Sequence, residues 1–174
     1  RESWVIKENE ENSLSYQGFY HDLYKGWYPE AFDADKWTNM MVDNGFKFFT
    51  FTTKHHDGFS MYDTKTVIKN RFVFNGENAG VIEPANIHYS IMETPFGRDI
   101  TGELVKSAKP KGLKIELYYS HPDWYDADFR FDEWNPQLDK NFSPEKNPEE
   151  WERFTKRHKE QVRELLTNYG KIDM

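Results

Sequence analysis

The stretch "FDADKWTNMMVDNGFKFFTFTT", residues 32 to 53, changes its hydrophobic rhythm partway along. In its first half Asp33 is placed to cap a helix, Trp37, Met40 and Met41 fall on one face of it, and Asn44-Gly45 supplies a left-handed stop. In its second half Phe46 to Thr53 is aromatic, β-branched and nearly free of charge, which predicts a strand buried on both faces. A helix that hands over to a strand through a tight stop is the repeating unit of α/β folds.

The unit recurs downstream. Asp99 is placed to cap a second helix carrying Leu104, Val105 and Ala108; Pro110 and Gly112 end it, and "LKIELYYS", Leu113 to Ser120, follows as another strand. A third helix opens at Asn147-Pro148-Glu149-Glu150, where a capping residue, a first-turn proline and acidic side chains agree. Its Trp151, Phe154, His158, Val162, Leu165 and Tyr169 make one stripe, Gly170 closes it, and "KIDM" is expected to begin a further strand.

Each helix reaches its next strand through a short turn, whereas the segments from strand to helix, 54 to 98 and 121 to 147, are long. In a (β/α)8 barrel the long loops after the strands build the site and the short turns serve stability. An open doubly wound sheet shares the alternation, but no glycine-rich phosphate loop follows either strand. A barrel takes about 250 residues. The expected fold class is therefore α/β, an incomplete (β/α)8 TIM-type barrel with long βα loops and short αβ turns. Residues 1 to 174 are expected to be its N-terminal part, with the remainder beyond Met174.

The net charge of −7 argues against nucleic acid or an anionic membrane surface as the main partner. No apolar run approaches the roughly 20 residues of a membrane helix. Cysteine is absent, which excludes disulfides and thiolate sites and permits the expected periplasmic or secreted location. Aromatic residues make up 17% of the chain, and such rings fill cores or stack on the apolar faces of sugars. The polar run Lys7 to Ser13 reads as a surface loop or unpacked end, and a hairpin or irregular loop is expected around Asn75-Gly76.

The chemistry concentrates at His55-His56-Asp57. Adjacent histidines at the end of an extended strand point to opposite sides, so both reach one ligand only where the backbone turns, and Gly58 offers that freedom. One reading is a metal-dependent hydrolase with His55, His56, His121 and Asp123 as ligands. Another places a histidine in the packing beneath a site. A nucleophile relay lacks its serine elbow or cysteine.

At this point "FTTKHHDGFSMYDTKT", residues 51 to 66, and "GLKIELYYSHPDWYDADF", residues 112 to 129, together resemble glycoside hydrolase family 29, the α-L-fucosidases. The likeness runs from about Phe32 to Phe129 and again through the third helix to Met174. It implies a retaining exo-α-L-fucosidase that releases terminal L-fucose from a fucosylated carbohydrate, with no cofactor and no metal. Such chemistry needs two carboxyl groups about 5 to 5.5 Å apart, one the nucleophile and one the acid/base. By resemblance the nucleophile lies just after Met174 and the acid/base later still, so no catalytic residue falls within the chain and Asp173 is not the nucleophile. The implied substrate-binding residues are His55 and His56, which hydrogen-bond sugar hydroxyls; Tyr118, the phenol beside the nucleophile; and Trp124, which packs on the sugar, shapes the pocket wall or covers the rim. Asp57 is expected to hold the loop by accepting backbone N–H bonds. A non-catalytic sugar-binding relative is the third reading.

Two features depart from the family pattern. Its early His-Trp phrase is missing, so residues 1 to 28 are expected to diverge. Glu116 stands where a small residue is usual, on the same strand face as Tyr118, and should find a partner such as Lys114 or a residue beyond Met174. Asp126, Asp128, Asp132 and Glu133 lack the glycine-containing calcium-loop pattern and read as a solvated loop.

Overall fold

A computed structural model of the chain describes residues 13–74 and 77–173. Of the polar run Lys7 to Ser13, only Ser13 falls among the described residues, where it opens helix α1 (Ser13–Asp22). A short 3-10 turn, Leu23–Gly26, leads on to α2 (Ala34–Asp43) and β1 (Phe48–Lys54). The hairpin β2 (Ile68–Phe72) and β3 (Ile82–Ile87), helix α3 (Ile100–Ala108), β4 (Lys114–Tyr119) and helix α4 (Pro148–Thr167) complete the order.

Strands β1 and β4 pair in parallel, with Phe49 opposite Ile115, Phe51 opposite Leu117 and Thr52 opposite Tyr118. Two parallel neighbours need a long crossover, and residues 55–113 supply it through the β2–β3 hairpin and α3. In the hairpin Arg71 lies opposite Glu83 and Phe72 opposite Ile82; the expected turn at Asn75-Gly76 lies outside the described residues.

The local signals at the helix ends act as their chemistry dictates. Asp33 accepts a hydrogen bond from Lys36 N at 2.9 Å, and Asp99 accepts from Gly102 N at 2.8 Å. Gly45 and Gly112 take the left-handed conformation at the turns that feed β1 and β4. Asn147 differs: its side chain makes no cap bond and its amide oxygen instead accepts from Ser143 N at 3.3 Å, so Pro148 starts α4.

Four expectations need correcting. In α2 the inward face is Ala34, Thr38 and Met41, whereas Trp37 is 42% and Met40 58% exposed. Small residues let α2 approach α3 closely, with the hydroxyls of Thr38 and Ser107 at 2.7 Å. Strand β1 is buried on one face only: Phe49, Phe51 and Thr53 turn toward the helices, while Phe46 and Phe48 are each 57% exposed. On α4 the buried face is Phe154, Arg157, Gln161, Glu164 and Leu165, with Trp151, His158, Val162 and Tyr169 only partly covered. Lastly, Lys171 to Asp173 run beside β4 without regular strand structure, although Asp173 N donates to Ile115 O at 3.1 Å.

The core lies between the helices and the inner face of the parallel pair. One cluster joins Phe32, Ile91, Phe96, Ile100 and Leu104 to Phe49 and Phe51; a second joins Val105, Ala108, Leu113 and Ile115 to Leu117 and Ile172. Each fully buried Val, Leu, Ile or Phe side chain among them contributes about 1.5–3 kcal/mol, and together the clusters anchor β1 and β4 against α3. Both strands thus end, side by side, at Lys54 and Tyr119.

Candidate active site at the carboxyl ends of the parallel strands

The chain turns sharply as it leaves β1. Gly58 N donates to His55 O at 3.0 Å and Gly58 has φ +80°, so the backbone doubles back over residues 55–58. That turn removes the opposite-sides problem of adjacent strand residues: the imidazoles of His55 and His56 lie 4.4 Å apart. The His55 ring stacks with Tyr118 from β4 at 6.1 Å, and both are exposed.

His56 is held from beneath. Its Nδ1 hydrogen-bonds to Ser120 Oγ, its carbonyl accepts from Trp124 N at 2.7 Å, and its ring lies 5.2 Å from the Trp124 indole. The Nδ1 bond leaves Nε2 for a ligand. Burial, then the neighbouring His55, lowers the His56 pKa below that of an ordinary histidine, so the ring is neutral at neutral pH and offers one donor and one acceptor. Asp57 accepts Phe59 N at 2.9 Å, which holds the turn, and burial pushes its carboxyl pKa up.

Trp124 is 7% exposed and packs with Phe129 and Phe154, while its Nε1 donates to Asp132 at 3.0 Å. Its indole is thus largely enclosed beside His56. Among the described residues Glu116, on the same strand face as Tyr118, pairs with neither Lys114 nor another cation. Its Oε2 accepts from Thr50 Oγ1 at 2.7 Å, the hydroxyl directly opposite on β1.

Below the histidines runs a buried line of charges. The Lys54 ammonium, wholly enclosed, donates to Pro122 O at 3.1 Å and approaches Asp123 Oδ2 at 3.4 Å. Arg157 on α4 donates to Asp123 Oδ2 at 2.5 Å and to Asp126 Oδ2 at 2.9 Å, and Arg153 grips Asp128 with 2.9 and 3.1 Å bonds. Burial alone would raise the Asp123 carboxyl pKa, but Lys54 and Arg157 outweigh it and hold the group well below the usual carboxylate range. The solvated-loop expectation fails for Asp126 and Asp128, which are 2% and 1% exposed and face arginines, whereas Glu133 is exposed and Asp132 partly so.

The four residues considered as metal ligands do not converge. Asp123 is taken by its two cations, and His121 Nδ1 meets His158 Nε2 at 3.1 Å, toward α4. His158 is itself pulled down to about 4, chiefly by burial. Among the described residues no three His, Asp or Glu side chains meet closely enough to hold a metal ion.

Sequence reasoning missed Ser120, Lys54 and Arg157. For Arg157 a signal was present: Arg153 and Arg157 share a helix face at i, i+4, and Asp123, Asp126 and Asp128 are clustered in the preceding loop.

Taken together, the scaffold and site define an α/β protein with His55, His56 and Tyr118 at the carboxyl ends of adjacent parallel strands, the usual site position for such sheets. The sequence matches the profile of the α-L-fucosidase family over residues 2–174, and the chain belongs to that family. The match includes most of the N-terminal stretch that was expected to diverge.

The α-L-fucosidase of Dictyostelium discoideum is 28% identical over 106 residues, 61% of this chain and 19% of that protein. Human tissue α-L-fucosidase is 22% identical over 135 residues, 72% of this chain and 25% of its own length. The GH29 α-L-fucosidase of Bacteroides thetaiotaomicron superposes with a TM-score of 0.68 at 28% identity, over 93% of this chain and 31% of that one. A trapped covalent intermediate of that enzyme with 2-fluoro-fucosyl fluoride superposes with the same TM-score, 0.68. Isoenzyme 1 of Paenibacillus thiaminolyticus gives 0.66 at 29% identity over 88% of this chain and 32% of that structure. The chain thus spans 19% of the Dictyostelium protein and 31% of the Bacteroides structure.

Proposed function

We propose that residues 1–174 are the N-terminal part of a (β/α)8 catalytic barrel that acts as a retaining exo-α-L-fucosidase, releasing terminal L-fucose from fucosylated carbohydrates. The observation that carries this reading is the cluster of His55, His56 and Tyr118 at the ends of β1 and β4, within a chain of the α-L-fucosidase family. The two imidazoles and the phenol offer hydrogen-bond donors and acceptors for a pyranose ring's hydroxyls. Such bonds orient the sugar and strengthen as charge develops on it during bond cleavage.

The nucleophile and the acid/base belong to the part beyond Met174, about 5 to 5.5 Å apart as a double displacement requires. Asp173 is engaged otherwise, its carboxylate accepting from Ile115 N at 3.1 Å. The covalent intermediate trapped in the similar Bacteroides enzyme supports the retaining course.

Hydrolysis of an aryl α-L-fucoside by the complete polypeptide tests the reading. Release of the aryl group is expected from the whole protein and none from residues 1–174 alone. Cleavage of an aryl α-L-galactoside without cleavage of the fucoside would overturn the choice of sugar. Binding of fucose without turnover would mark a non-catalytic relative.

A further inference from the structure

We infer that Lys54, Asp123 and Arg157 form a positioning clamp, a buried line of charge that fixes the His55-His56 turn against the Tyr118 strand and helix α4 and so sets where the two imidazoles meet the sugar. The inference rests on the reading of His55 and His56 as sugar-binding groups. Lys54 immediately precedes the histidine pair, and neither its side chain nor that of Asp123 has any exposure. Its ammonium also lies 4.8 Å over the Tyr119 ring, so the last residue of β1 is pinned to the last residue of β4.

Asp123 joins the parts. Its Oδ1 accepts from Tyr125 N at 3.2 Å and Asp126 N at 3.1 Å, which shapes the loop after β4, while Oδ2 faces Lys54 and Arg157. The same carboxylate lies directly against the histidine turn: a methyl group on Gly58 would sit 2.2 Å from Asp123 Oδ1. Residue 58 must therefore lack a side chain for the carboxylate to reach this place. Two backbone bonds complete the tie, Ser120 N to Lys54 O at 3.0 Å and Trp124 N to His56 O at 2.7 Å.

Stability alone does not explain the arrangement. A methionine would fill the space of Lys54 without the cost of enclosing an ammonium, and apolar replacements of buried ion pairs are often neutral or stabilising. What the charges add is direction: Lys54 aims at one carbonyl and one carboxylate, and Arg157 spans two carboxylates from a rigid helix. Since a misplacement of about 1 Å at a reacting centre costs on the order of a hundredfold in rate, such direction has kinetic value.

The test uses the complete polypeptide and an aryl α-L-fucoside. Lys54→Met is expected to lower kcat/KM per folded molecule about a hundredfold, through a raised KM and a lowered kcat together, at a temperature well below its Tm. Arg153→Gln breaks the outer ion pair of the same loop and helix, and should lower Tm while leaving kcat/KM within about twofold of wild type. If Lys54→Met does not fold, Asp123→Asn keeps the shape and the N–H acceptor, and the same loss is expected of it. Wild-type kinetics in the folded Lys54→Met or Asp123→Asn protein, with activity lost in His55→Ala and His56→Ala, overturns the clamp alone. A wild type without turnover, or histidine variants that keep it, overturns the underlying reading and the clamp with it.

Discussion

Replacing His55 or His56 with alanine in the complete polypeptide is expected to lower kcat/KM for an aryl α-L-fucoside about a hundredfold or more, the scale seen when one preorganised hydrogen-bond donor is removed from a site. The two variants should differ in what else they cost. His55 is exposed and touches His56 and Tyr118 by ring contact alone, so His55→Ala should leave the unfolding midpoint nearly unchanged. His56 is bonded to Ser120 and packed on Trp124, so His56→Ala should also cost roughly 1 kcal/mol of stability. Steady-state kinetics beside thermal unfolding separates the two effects. Full activity in His55→Ala would remove that imidazole from the sugar site.

The largest stability effect is expected at Asp123. Asp123→Ala strands Arg157 and Lys54 in the interior with a shared counter-ion gone, and breaking a buried pair in this way costs about 3–5 kcal/mol. Lys54 can shed its proton, since burial already lowers its pKa against the pull of Asp123, and Arg157 keeps Asp126; both place the loss within that range rather than above it. The midpoint of thermal unfolding should fall by roughly 10 °C.

The pH dependence has a definite sign. The Asp123 carboxyl is held below its unfolded value, so its contribution is present above about pH 4 and is lost as pH falls through the folded pKa. The gap between wild type and Asp123→Ala should therefore be full at neutral pH and close in strong acid. A gap that is small at pH 7 would show that the charge line carries little of the stability.

The parts of the fold legible in the sequence were those set by local chemistry. Asp33, Asp99, Gly45 and Gly112 each act on backbone groups within a few residues, and caps and stops appeared where their residue types placed them. Packing partners were not local. Trp37 and Met40 form an apolar stripe in sequence, yet the helix–helix contact needs small residues at Ala34 and Thr38, and the bulky pair is left outside.

Polar residues misled in the opposite direction. Arg157, Gln161 and Glu164 turn inward on α4 because Asp123 and Asp126, Tyr119 and Ser60, and Thr64 and Lys65 respectively supply their partners, with Glu164 accepting from Thr64 Oγ1 at 2.7 Å and Lys65 N at 2.8 Å. A hydropathy pattern counts such residues as surface; long-range charge pairing reverses that. At the site, the histidine pair was visible as a motif, whereas the turn that brings both rings together depends on Asp123 lying against Gly58, sixty-five positions away in the chain.

The central claim is that the imidazoles at 55 and 56 grip a pyranose directly. A crystal structure of the complete polypeptide with α-L-fucose bound tests it most directly. Both rings should place a nitrogen about 2.7–3.2 Å from a sugar hydroxyl, with Tyr118 beside the anomeric carbon. A metal ion between the two rings, or a sugar bound with both imidazoles turned away from it, would contradict the account.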